Sequence, residues 1–131
     1  MTYSFTATTH LGFEEAVART KEAFKDQGFG VLTEIDIQAT LREKIGAETE
    51  PYVILGACNP AFAGRALAAD PGVGVFLPCN VVVRRSGEDT VIEAMDPTVM
   101  QQFFADPAMA ELIGEVAPRV RKAVAELGGG Q

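Results

Sequence analysis

The stretch Val81-Val82-Val83-Arg84-Arg85-Ser86-Gly87-Glu88-Asp89-Thr90-Val91-Ile92-Glu93-Ala94-Met95 decides the fold. Its two halves are rich in β-branched residues and read as strands, Val81 to Arg85 and Thr90 to Met95. Ser86-Gly87-Glu88-Asp89 between them has turn composition. Strands joined so closely must pair antiparallel, because a parallel pair needs a crossover of about a dozen residues or more. Working upstream, Val73 to Leu77 also reads as a strand. Pro78, which cannot donate a ladder hydrogen bond, marks an edge, bend or bulge before Val81.

Further strands are expected at Tyr3 to Thr9, at Phe29 to about Gln38, and at Tyr52 to Cys58. In the second of these, Val31, Thr33, Ile35 and Ile37 fall on one face, which reads as core-directed. Leu32, Glu34, Asp36 and Gln38 fall on the other, which carries acid. Helices are expected where apolar residues recur at helical spacing. Phe13, Val17, Thr20 and Phe24 form one stripe, closed by Gly28. A short helix spans Ala39 to Ile45 and stops at Gly46. Asn59-Pro60, Asp96-Pro97 and Asp106-Pro107 each pair an N-cap residue with a proline suited to the first helical turn. The last helix carries the stripe Leu112, Val116, Val120, Val124 and Leu127. Pro118 falls inside it and predicts a kink or break, since an interior proline costs about 3 kcal/mol. Residues 128–131 read as a frayed tail. Central strands with flanking helices predict an α+β fold, with helices packed on one face of a mostly antiparallel sheet.

The chain has 131 residues, 47% hydrophobic and 22% charged, which fits one globular domain over residues 1–131. Its net charge of −7 repels polyanions, so no nucleic-acid partner is expected. Arg119, Arg121 and Lys122 form the only dense basic group and read as a solvated helix face. No apolar run approaches the ~20 residues of a membrane span, and Met1 to Phe5 lacks signal-peptide character. A cytoplasmic location with reduced thiols follows as the expectation.

The two cysteines stand in echoing segments, Leu55-Gly56-Ala57-Cys58-Asn59-Pro60 and Phe76-Leu77-Pro78-Cys79-Asn80-Val81. In both, an apolar run delivers a thiol and an amide to its end. Three ordered runs are distinctive: Gly28 to Leu41, Tyr52 to Pro60 and Gly74 to Val83. With Met95-Asp96-Pro97, they make the chain resemble the prokaryotic family catalogued as domain of unknown function 302, over about Phe5 to Ala125. The resemblance implies a curved sheet of the TATA-binding-protein-like class with helices on one face, and a homodimer. It implies no reaction.

Candidate ligand-binding residues are Cys58, Asn59, Cys79, Asn80, Glu34 and Asp36. Cys58 precedes a helix cap, where free N–H groups favour a thiolate, or it is a small core residue at a strand end. Asn59 and Asn80 each offer a donor and an acceptor to a polar ligand, although Asn59 also has a capping role. Glu34 and Asp36 are paired carboxylates, fit for acid–base work or for solvated pairing with Arg42 and Lys44. The residues specify neither a cofactor nor a metal. Two cysteines and the single His10 fall short of a four-ligand zinc set unless Glu34, Asp36 or a second chain completes it. No catalytic constellation is complete. The leading expectation is a small ligand bound near the two Cys-Asn segments. The alternatives are a thiol-dependent redox or metal-binding role for Cys58 and Cys79, and a structural or interaction role as a homodimer.

Overall fold

The structure is a computed structural model and describes residues 2–128. Five strands form one sheet in the order β1-β5-β4-β3-β2: β1 Ser4–Thr9, β2 Gly30–Asp36, β3 Tyr52–Cys58, β4 Cys79–Ser86 and β5 Asp89–Met95. Every neighbouring pair is antiparallel. The β4–β5 hairpin pairs Ser86 with Asp89, and Gly87 takes a φ of 61° in the turn between them. That left-handed conformation suits glycine in a two-residue hairpin loop.

Four α-helices accompany the sheet: α1 Phe13–Asp26, α2 Ile37–Ile45, α3 Pro60–Ala69 and α4 Pro107–Gly128. Two 3-10 helices, Pro71–Phe76 and Pro97–Gln102, complete the chain. Cross-strand rows set the faces. Ala7, Ile92, Val83 and Val53 lie opposite one another in turn and are buried under helices. The neighbouring row of Glu93, Val82, Ile54 and Ile35 lies on the open face, with the Arg84–Glu93 ion pair at 2.8 Å. This is the expected α+β architecture.

The apolar stripe of α4 is buried along its length, from Met109 through Leu112, Val116, Val120 and Val124 to Leu127. Of the kink or break expected at Pro118, the break does not occur: α4 runs unbroken through it. Pro118 and Gly114, whose carbonyl loses its hydrogen bond, both lie on the exposed side. A carbonyl on the exposed side is open to water, so the lost bond does not have to end the helix. Gly128 is the last helical residue rather than the start of a tail. Residues 129–131 of the expected tail lie outside the described residues.

Two other expectations are corrected. Val73 to Leu77 is not a strand: Val73 to Phe76 belong to the 3-10 helix Pro71–Phe76, and Leu77 is its C-cap. Asp70 accepts a hydrogen bond from the Gly72 N–H at 2.8 Å, and Pro71 pre-sets the first turn. The local cap outweighs the β propensity of two valines. In β2, the register shifts between Val31 and Thr33, leaving Leu32 extra and 68% exposed. A bulge reverses the faces beyond it. Thr33 and Ile35 therefore turn to the open face, opposite Gly56 and Ile54, while Glu34 and Asp36 pair with Leu55 and Val53. The strand ends at Asp36 because its carboxylate caps α2, accepting from the Ala39 N–H at 2.8 Å. Ile37 and Gln38 are consequently helical.

Candidate functional site

The antiparallel register of β3 and β4 places Cys79 opposite Ala57, which is 1% exposed, on the helix-covered face. Cys58 is the last residue of β3, and Asn59 follows as the N-cap of α3. The Asn59 Oδ1 accepts from the N–H groups of Ala61 at 3.1 Å and Phe62 at 3.2 Å. The strand ends, α3, α4 and the two 3-10 helices line a partly open cavity of about 60 Å³. Cys58, Cys79, Phe29, Phe62, Met100 and Met109 contribute to its wall. Asn59 stands at the wall too; the remaining lining side chains are apolar.

Cys58, Asn59 and Cys79 are thus brought together, and three other candidates are not. Asn80 is exposed and lines a hollow on the opposite face, beside Tyr52, Val82 and Glu93. Successive strand residues alternate, so Cys79 and Asn80 cannot share a face. Glu34 pairs with Lys21 of α1 at 2.7 Å, and Asp36 is occupied with the α2 cap. Neither lines the cavity. His10 lies 2.7 Å from Asp89 at the hairpin end, also outside the cavity. Among the described residues, no group of three or more His, Cys, Asp or Glu side chains is placed to hold a metal.

Sequence reasoning missed Phe29, Phe62, Met100, Met109 and Arg119. Phe62 carries two guanidinium groups against its ring, Arg65 at 5.7 Å and Arg119 at 5.2 Å from the centroid. Arg65 also grips Glu115 through two hydrogen bonds of 3.2 and 2.7 Å. Those bonds hold the Glu115 carboxyl below its ordinary range, with the charges of Arg65 and Arg119 adding to the effect. The one available signal for Arg119 was its position three residues after Val116, at the border of the α4 stripe.

The thiols are free rather than joined. Burial pushes the Cys79 thiol up to about 11 from its ordinary 9.0, and the neighbouring Cys58 charge pushes the same way. A thiol so protonated at neutral pH is a poor nucleophile and serves as an apolar wall. The shift also has a stability consequence. Between pH 9 and 11 the folded chain keeps a proton that the unfolded chain releases, so stability falls as pH rises through that window. Wild-type stability relative to Cys79→Ala is expected to be flat below pH 9 and to decline by roughly 2–3 kcal/mol by pH 11. Urea unfolding of both proteins across that range checks it.

The family described as "Domain of unknown function DUF302" matches residues 5–127. The chain belongs to this family. A crystal structure titled as an uncharacterized conserved protein DUF302 from Bacillus stearothermophilus resembles this DUF302 domain closely. The two are 32% identical with a TM-score of 0.88, over 98% of this chain and 99% of that one. None of the curated proteins matches. Among the described residues of this DUF302 domain, no helix is long and apolar enough to cross a membrane.

Proposed function

We propose that this DUF302 domain binds a small, largely apolar molecule in the cavity between β3, β4, α3 and α4. One observation carries the reading: a partly open cavity of about 60 Å³ reaches into the core, walled by apolar side chains, Asn59 and the two free cysteines. Protein interiors leave few voids larger than a water, and apolar ones stay dry and accept apolar guests. Protonated Cys79 and the thioethers of Met100 and Met109 are polarisable surfaces suited to such a guest.

Xenon is the direct probe, because it is small, apolar and uncharged. Amide NMR under xenon pressure is expected to shift Ala57, Cys79, Met109 and Val116, and to leave the open sheet face unchanged. Ala63→Leu, which fills the cavity from α3, is expected to abolish those shifts. Absence of any shift at the cavity wall would sink the reading.

A further inference from the structure

Resting on that reading, we propose that the cavity's occupant is a short-chain carboxylate, held by its anionic head between Asn59 and Arg119 at the cavity edge. The donors come together over Gly28, which follows α1 with a φ of 89°. A Cβ added to Gly28 would lie 2.7 Å from Asn59 Nδ2 and 3.9 Å from Arg119 Nη1. Glycine at this position therefore lets an amide and a guanidinium approach the same spot. A side chain there would displace the amide and would also be strained at that φ.

Both donor groups have capacity to spare. Asn59 uses its Oδ1 to cap α3, while its Nδ2 makes no hydrogen bond among the described residues. Arg119 reaches only the Gln27 carbonyl, at a long 3.4 Å, and lies over the Phe62 ring. Among the described residues no carboxylate lies within ion-pair distance of it; the nearby Glu115 is gripped by Arg65. Lys25, which lines a groove with Gly28 and Phe29, likewise has no carboxylate partner among the described residues. A guanidinium and an amide nitrogen together offer the several N–H donors that a carboxylate accepts. Asn59 and Phe62 belong to the cavity wall, so a head held here sends its tail inward. The cavity is well under half the ~150 Å³ that admits benzene, so the tail is a few carbons long.

Butyrate and 1-butanol, titrated into the full chain and followed by amide NMR, separate the head from the tail. Butyrate is expected to bind roughly tenfold more tightly than 1-butanol, as charge-assisted hydrogen bonds contribute. Arg119→Leu, at an exposed position, is expected to remove that advantage and leave 1-butanol unchanged. Asn59→Asp keeps an oxygen for the α3 cap but exchanges the donor for a charge, and is expected to weaken butyrate alone. A merely structural Asn59 would leave butyrate affinity unmoved in this variant. If 1-butanol binds but butyrate binds no more tightly, or Arg119→Leu leaves butyrate unaffected, the carboxylate site is overturned and the cavity reading stands. If neither compound perturbs the cavity wall, the carboxylate site is overturned, and the xenon measurement alone decides whether the cavity reading falls with it.

Discussion

Gly56→Ala is expected to destabilise the fold by about 3 kcal/mol, the upper part of the range for overpacking a close-packed site. Gly56 is buried in β3 between Thr33 of β2 and Asn80 of β4. A Cβ there would run into the Thr33 hydroxyl and come within 2.7 Å of Pro78 Cγ. Neither neighbour can yield easily. Thr33 follows the bulge that sets the β2 register, and Pro78 immediately precedes β4. The clash therefore spreads into both strand pairings of β3, next to Cys58 and Cys79. Denaturant titration reads the loss as a lower midpoint at unchanged slope. Thr33→Ala removes the colliding hydroxyl, so the double variant is expected to recover part of the loss while the Pro78 contact withholds the rest. Full additivity of the two substitutions would contradict the assigned contact, since neighbours in contact should couple.

Phe29→Ala is expected to cost about 3–5 kcal/mol, the range for losing a buried aromatic ring and leaving its volume empty. Phe29 is 2% exposed and meets Phe24 edge-to-face with ring centroids 5.8 Å apart. Its ring also forms a wall common to the cavity and to the groove beside Lys21, Lys25 and Gly28. Truncation thus acts on stability and on the site together. The cavity is expected to open toward the groove and to accept a ring as wide as benzene, which the wild type excludes. Urea unfolding measures the first effect, and amide NMR with benzene the second. A variant that loses stability yet still excludes benzene would show that the surrounding side chains collapse into the vacated space.

The helix caps were legible in the sequence because they are local events. Asn59, Asp96 and Asp106 each accept hydrogen bonds from backbone N–H groups two or three residues ahead, and each is followed by proline. Such a signal lies within a few consecutive residues and needs no partner from elsewhere. The α4 stripe and the β4–β5 hairpin were legible for the same reason. Asp70-Pro71 is the same kind of signal, yet at Val73 to Leu77 it was outweighed in the reading by the run of β-formers.

The candidate site was legible only in part. Cys58, Asn59 and Cys79 converge because Cys58 ends β3 where Cys79 begins the antiparallel neighbour β4, a pairing that the echo of the two segments left open. Asn80 could be separated from them by strand alternation once the start of β4 at Cys79 was known. Glu34 and Asp36 could not be placed from spacing, because the bulge at Leu32 inverts the faces and the α2 cap claims Asp36.

The amino-acid sequence by itself determined the α+β class, the antiparallel hairpin, the helix starts and the buried face of α4. These follow from periodicity and capping, which are set within one turn or one strand. Only the tertiary structure decided that Phe29, Phe62, Met100 and Met109 wall one cavity with the two thiols. Only it decided that Gly28 brings Asn59 and Arg119 together, across a sequence separation of 60 residues between those two donors. Such contacts depend on how α1, α3 and α4 pack over the same sheet face, and that packing leaves no periodic mark on any one segment.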